Sequence, residues 1–451
     1  MFDTESSDLA ASQRREERLE AVLAALPRGT GGERRELVER FVALWLMHVP
    51  SEEIDDFADD DLAGAALAHW GLADGKGEAG HVHRVLNPTF ERDGWQSSHT
   101  VLQLVCDDRP WLVSSLRSAL LAEGHDVHLI VHPVLQAHRA ADGRLLDVAA
   151  HEVSVGTKSG AENGAVEEAH AESFIHIEIG CVESDAHQAL DTLVERVLTM
   201  LDIVARDGPR MSERLAALAD ALGETEQAAF VRWLDARQFL SLGMGRIRPP
   251  AAGSDTQAAT LEDPLGLLDP EAGLVAWSPE DILATDVASM FTDEHGSVIV
   301  CKAAHRSPLL RNEPADLVLA PERDANGRIV SVDCTLGLFV SGLQNEAVSG
   351  VPWLRERVER VIKASGTPPD SHDGKALAAN LRALPREMLL QTRSPHLLEM
   401  ARGIVALHER RQVRLFSSVD PLGRFCNCLV FIPREAYSRE LRFDIEHILA
   451  K

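Results

Sequence analysis

The chain has 451 residues, 45% of them hydrophobic, with 71 acidic against 45 basic side chains and a formal net charge of -26. That length supplies material for roughly two to four domains, while the acidic excess without any dense Lys/Arg cluster excludes a nucleic-acid surface. The amino terminus is polar and acidic, with neither a secretory nor a transit signature, and the longest apolar run near it, residues 42–47, is far too short to cross a bilayer.

Residues 14–70 read as helical. Leu19, Val22, Leu23 and Leu26 form one stripe, Leu37, Val38, Phe41, Val42 and Trp45 a second, and residues 61–70 begin a third helix behind an Asp cap. The acidic run at 52–61 lacks calcium-loop spacing and reads as solvated loop and helix start. Residues 101–134, VLQLVCDDRPWLVSSLRSALLAEGHDVHLIVHPV, give strand, acidic turn, helix and strand. An Asp at 107 or 108 can cap the helix, Pro110 suits its first turn, Leu112, Leu116 and Leu120 recur every four residues, and Gly124 ends it. A hairpin follows at 134–138 and 145–148 around Asp142-Gly143, then a Gly/Ala/Glu-rich mobile loop at 156–172 and an alternating strand at 173–180. Leu190, Leu193, Val194, Val197, Leu198 and Leu201 stripe a long helix.

Past Pro209 lies a helical connector that passes into a strand near Phe239, and residues 249–261 form a linker. Strands are expected in GLVAW (273–277), SVIVCKA, ADLVLAP and RIVSVDCTLGLFVS, with an Ala325-Asn326-Gly327 turn between the last two. Helices striped by Leu354, Val358 and Val361, by Leu377, Leu381 and Leu384, and by Leu397, Ala401 and Ile404 follow. A hairpin about residues 420–424 and a helix carrying Leu441, Ile445 and Ile448 come last. A hairpin with one helix is marginal alone, so the chain is expected to be a fragment of something longer.

The six cysteines read as buried reduced thiols of a cytoplasmic protein; Cys426 and Cys428 share a strand face but lack a second pair at zinc spacing. Gly243-Met244-Gly245 lacks the third glycine and following helix of a dinucleotide site, and residues 28–32 form a linker. His128 and His132 on one strand face, and His81 and His83 in a loop, read as ordinary imidazoles with no carboxylate placed to complete a ligand set. In residues 371–375, SHDGK, neighbouring side chains point apart, so a helix start capped by Ser371 or Asp373 is preferred to a triad. The candidate site is the turn Asp107, Asp108, Arg109 and Trp111. It is either a plain helix cap or a place where helix N–H groups hold a carboxylate while an aspartate meets an ammonium, as an amino acid would require.

DDRPWLVSSL, VHLIVHPVL and DGRLLDV (107–148), ESFIHIEI (172–179), FLSLGMGRI (239–247), LGLFVSGLQNE (336–346), PPDSHDGKAL (368–377) and the long match at 409–442 resemble the large bacterial NAD-specific glutamate dehydrogenases, in their non-catalytic amino-terminal region. The resemblance implies an α+β, multi-domain chain: ACT-like antiparallel sheets with helices on one face, a PAS-like α+β unit, and helical connectors. Its implied divisions are 1–75 helical, 76–207 first ACT-like domain, 208–262 connector and linker, 263–347 PAS-like unit, 348–410 connector and 411–451 start of a second ACT-like domain. It also implies a regulatory and oligomerisation role, with no catalytic, NAD-binding or metal residue here; NAD belongs to a catalytic domain farther along. The partners implied are that domain, other subunits of a homo-oligomer and an amino-acid effector, with no nucleic acid or membrane. The alternative is a stand-alone ACT-type sensor acting through a protein partner. Trp111 stands where ACT turns often place glycine, and its bulk is expected to narrow the pocket.

Overall fold

A computed structural model describes residues 3–27, 32–50, 53–77, 80–151, 170–248, 259–272, 291, 298–340, 342–407 and 412–450. Residues 28–31, the insert at 156–169, most of the linker at 249–261 and the expected strand at 273–277 lie outside them. The chain divides into two compact units, Met1–Thr199 with Pro308–Asn312, and Met200–Ser307 with Glu313–Lys451.

In the first unit, helices α1 (Asp3–Ala25), α2 (Glu33–Leu46) and α3 (Asp59–Asp74) turn the expected stripes inward, burying Val22, Phe41, Val42 and Trp45. The cap position of α3 is Ala58, with no side-chain cap bond, so the expected Asp cap is not made; Asp59, Asp60 and Asp61 instead place negative charge in the first turn, where the helix dipole favours it. There follow β1 (His81–Leu86), α4 (Phe90–Asp93), β2 (Thr100–Asp107), α5 (Leu112–Ala122), β3 (Val127–Val131), β4 (Val134–Arg139), β5 (Leu145–Ala150), β6 (His170–Ile179) and α6 (His187–Ala221). The sheet order is β1-β2-β6-β4-β5, with β3 also on β6 and every pairing antiparallel. Both β2 and β3 oppose β6, so they run parallel to each other and α5 links them as a split βαβ unit. Leu112, Leu116 and Leu120 of α5 are buried, each worth about 2 kcal/mol in apolar transfer.

The helix layer expected on one face of this sheet has a counterpart on the other. Val101, Val105 and Phe174 share a core with Phe41, Trp45 and Trp70 of the amino-terminal helices. α6 meets the opposite face, where His81 and His83 stand in register with Cys106 and Leu104. Strand β6 begins at His170, so residues 170–172 belong to the strand rather than to the expected loop.

The α6 helix is one piece of 35 residues that continues through Pro209 into the expected helical connector. A proline inside a helix costs about 3 kcal/mol; Met211, Leu215 and Ala219, all buried in the second unit's core, offset it. Beyond α7 (Glu226–Trp233), capped by Thr225, lie β7 (Phe239–Arg248), β8 (Thr260–Gly266), β9 (Ile299–Arg306), β10 (Pro314–Arg323) and β11 (Ile329–Phe339). They form an antiparallel sheet in the order β8-β7-β11-β10-β9. Thr260 and Leu261, expected in the linker, are strand residues. One face packs on helices Leu354–Ala364, His372–Ala383, Arg386–Gln391 and Ser394–Val405; the other buries Ile299, Cys301, Leu317, Leu319, Cys334 and Leu336. Lys302 bridges buried Asp316 (2.6 Å) and Glu387 (3.0 Å), and burial still pushes the Asp316 carboxyl up to about 7.

The hairpin β12 (Arg414–Val419) and β13 (Cys426–Phe431) precedes helix Arg439–Leu449, none of whose residues is buried. Leu415, Val419, Phe443, Ile448 and Leu449 are exposed. Cys106, Cys301 and Cys334 are buried as expected, and burial pushes the Cys106 thiol up to about 12. Cys181, Cys426 and Cys428 are exposed, against the core reading: Cys181 lies past the end of β6, and the last hairpin has no second layer over the face of Cys426 and Cys428 among the described residues.

Gly243 and Gly245 are packing glycines. A Cβ on Gly243 would stand 2.9 Å from the Leu265 carbonyl oxygen, and one on Gly266, at φ +63, only 2.4 Å from that of Leu242. Gly266→Ala is expected to cost at least about 1 kcal/mol through the left-handed backbone alone, read as a lower urea midpoint with an unchanged slope.

Candidate functional site

The turn after β2 folds differently from a cap. The residue before α5 is Trp111, at φ 70 and ψ 1, with no side-chain cap bond. Pro110 therefore precedes the helix, and neither aspartate caps it. Positive φ at a bulky residue carries strain, and it occurs where the resemblance expects glycine. Asp108 donates its N–H to the Ala171 carbonyl (2.8 Å) and accepts from Ser173 Oγ (2.6 Å), which also meets His132 Nε2 (3.0 Å). Asp107 lies 3.3 Å from Lys76 Nζ with its side chain 65% exposed. Arg109 is half-buried. The four residues thus stay together, but the carboxylate of Asp108 already has a protein partner.

The stronger chemistry lies on β6. Its Glu172, Phe174, His176 and Glu178 face the amino-terminal helices, and all four are buried. Arg139 grips Glu172 with two bonds (2.8 and 2.6 Å) and donates to the carbonyls of Ala73 (2.8 Å) and Gly143 (2.7 Å), while Lys76 Nζ lies 3.0 Å from Glu172 Oε1. Burial resists charge on Glu172, yet the Arg139 hydrogen bonds and Lys76 outweigh it and hold the carboxyl below its usual range.

At the other end of the strand a hydrogen-bonded chain fixes its own proton positions. The Trp45 indole can only donate, so His69 Nδ1 (3.2 Å) accepts and Nε2 donates to the Leu104 carbonyl (3.2 Å). Arg84 donates twice to Gln103 Oε1 (3.0 and 2.6 Å), so the Gln103 amide nitrogen donates to the Ala65 carbonyl (3.0 Å) and to His176 Nδ1 (3.1 Å). His176 must then donate from Nε2 to Glu178 Oε1 (3.2 Å), while Ser97 Oγ (2.9 Å) and His99 Nδ1 (3.0 Å) donate to Glu178 Oε2. Burial opposes the Glu178 charge, but the His176 bond and its fellows hold the carboxyl below its usual range. Burial first, then the neighbouring His176, lowers His69 to about 3, so it is neutral.

Glu178 and His99 border a cavity of about 800 Å³, with Ser97, His128 and Leu129 on its wall and Glu53, Asp56, Asp61 and Glu91 around it. A register shift between Val127 and Leu129 lets His128 stack on His99, 4.4 Å between ring centres. The lining is carboxylate-rich, with two imidazoles, and suits a ligand bearing an ammonium group. His128 thus serves this wall, whereas His132 lies past the strand end beside Ser173. His81 and His83, expected in a loop, are on β1 and meet Asp191 and Glu195 of α6. Carboxylates are therefore placed beside this histidine pair, contrary to expectation. Ser371 caps its helix by accepting from the Gly374 N–H (3.0 Å), as preferred.

Sequence reasoning missed Glu172, Glu178, His99 and Gln103. The signal present for the two glutamates was ESFIHIEI itself, in which Glu172, His176 and Glu178 fall on one face.

Residues 41–196 match the family model described as glutamate dehydrogenase, ACT1 domain; 351–410 match glutamate dehydrogenase, helical motif 1; and 414–451 match glutamate dehydrogenase, ACT2 domain. The chain is 30% identical over 438 residues to the NAD-specific glutamate dehydrogenase of Pseudomonas aeruginosa, covering 94% of this chain and 26% of that protein. Similarity to the Halomonas elongata enzyme of the same name is 30% over 437 residues (92% and 26%), and to that of Mycobacterium tuberculosis 25% over 365 residues (78% and 20%). The chain spans about a quarter of the length of the first two relatives.

Arg139→Ala leaves Glu172 short of its main partner inside the protein and is expected to cost about 3 to 5 kcal/mol in urea unfolding. Acid should act through His69. Its folded pKa lies near 3, below the ordinary 6.5, so the unfolded chain takes the proton first. The resulting stability is full above pH 6.5 and is lost as pH falls towards 3, on the order of 5 kcal/mol across that window. His69→Gln should flatten the pH dependence of the unfolding midpoint over the same range.

Proposed function

The chain carries the ACT1, helical motif 1 and ACT2 domains of the NAD-specific glutamate dehydrogenase family, and from that premise we propose that it is the amino-terminal regulatory and assembly region of a large cytoplasmic enzyme of that class. The full enzyme in this reading oxidises L-glutamate with NAD to 2-oxoglutarate, ammonia and NADH in a catalytic domain farther along the polypeptide, and NAD binds there. The partners are that domain and further copies of the subunit. The exposed apolar residues of the last hairpin and helix, Leu415, Val419, Phe443 and Ile448, support a role in such contacts. The order β8-β7-β11-β10-β9 supports a PAS-like reading of the second sheet.

The observation that carries the regulatory reading is the cavity beside Glu178. A carboxylate kept ionised by His176, Ser97 and His99 faces a space of about 800 Å³, room enough for an amino acid. A ligand there favours whichever arrangement of the enzyme keeps the wall formed, and so shifts populations. The turn Asp107, Asp108, Arg109 and Trp111 is the secondary candidate.

A thermal-shift screen across amino acids tests this, because binding to the native state raises apparent stability. At least one amino acid at millimolar concentration should raise the transition, and Glu178→Gln should remove most of that shift. No shift with any amino acid overturns effector binding. A shift lost in Asp108→Ala but kept in Glu178→Gln moves the site to the turn. Glutamate-dependent NAD reduction by the chain should stay at background.

A further inference from the structure

Strand geometry puts His81 and His83, two residues apart, on one face of β1, and helix geometry puts Asp191 and Glu195, four apart, on one face of α6. β1 is the edge strand of its sheet, and these faces meet. Glu195 Oε1 lies 3.0 Å from His81 Nε2 and 3.5 Å from His83 Nδ1, and the three ligand atoms lie within 4.8 Å of one another. The imidazoles stack at 6.0 Å with planes 23° apart. We propose that His81, His83 and Glu195 form a binding site for a first-row divalent cation of the zinc class, with Asp191 as the residue that orients His83.

Zinc bonds of about 2.0 to 2.2 Å in a tetrahedron set neighbouring ligand atoms about 3.3 to 3.5 Å apart. The separations of 3.0 and 3.5 Å match that spacing with small adjustment. The tautomer of His83 fits as well. Its Nε2 is 3.3 Å from Asp191 Oδ1, and the tautomer with its proton on Nε2 would leave Nδ1, on the Glu195 side, to ligate the ion. A carboxylate on the far nitrogen of a ligating histidine is the usual outer support of such centres. His83 is 12% exposed at its side chain and Glu195 50%, so the site is framed by protein yet open to entry. Two imidazoles and one carboxylate leave a fourth position for water or a small anion. The ion would pin the edge strand to α6.

The test uses untagged chain stripped with chelator and titrated with Zn²⁺ by calorimetry, and with Co²⁺ followed by visible absorption. One ion per chain is expected, with a Kd of about 10 µM or tighter. His83→Gln and Glu195→Gln should each weaken it at least about tenfold, Asp191→Asn by about 10- to 100-fold, and the Co²⁺ bands should vanish in His83→Gln. His372→Gln, an exposed histidine outside the cluster, should bind as the parent does. Glu195 is half exposed, so its variant keeps the comparison sound if His83→Gln unfolds, which circular dichroism reports. Absence of binding below 1 mM, or equal binding by the Glu195→Gln chain, overturns the proposal.

Discussion

Two carboxylates inside a sheet covered on both faces set the terms for the first unit. Glu172 and Glu178 sit near the two ends of the inward face of β6, where water cannot solvate them and an unpaired charge would cost several kcal/mol. Each is therefore supplied with partners from many elements. Glu172 draws in Lys76 from the end of α3 and Arg139 from β4, and the same guanidinium reaches the carbonyls of Ala73 and Gly143. That leaves so little room that a Cβ on Gly143 would lie 2.1 Å from the Gly77 backbone. Glu178 draws in Ser97 and His99 from before β2 and, through His176 and Gln103, Arg84 from β1 and the Ala65 carbonyl of α3. The amino-terminal helices are held to the sheet by these bonds as well as by Phe41 and Trp45.

This arrangement explains what the sequence conveyed and what it withheld. The split βαβ unit was legible because Leu112, Leu116 and Leu120 keep a helical period while Val127, Leu129 and Val131 alternate. The same rule misled at ESFIHIEI. Alternation usually means one wet face, and here both faces are dry, with the polar one matched group by group. No local pattern distinguishes a glutamate facing water from one facing an arginine 33 residues away. HVHRVL lacks an apolar period and so passed for loop, while its partners on α6 lie more than 100 residues on. The DDRPW turn was placed correctly, but its internal geometry was not, since the cap reading assumed ordinary backbone at Trp111 and the chain turns left-handed there.

In the second unit the glycines of FLSLGMGRI have a packing reason: Leu265 and Leu268 press against Gly243. The Lys302, Asp316 and Glu387 cluster repeats the theme of β6 more tightly. Its lysine offers one charge to two carboxylates, and Asp316 also accepts from the Phe339 N–H (3.3 Å). Strand termini and helix starts are thereby joined by charge at places where apolar packing alone gives no direction. The continuation of α6 through Pro209 was not readable locally, because the residues that justify it belong to another core.

The uncovered hairpin and helix near the carboxyl end bear on the colloidal behaviour of the chain. Val419, Phe443 and Ile448 stand in water at 60, 58 and 66% exposure, and a net charge of -26 opposes the approach of two such surfaces. That repulsion fades with added salt and disappears near the isoelectric point of about 5.1. Self-association through these side chains should therefore grow as pH falls towards that point, so turbidity at mildly acidic pH reports surface association as well as unfolding.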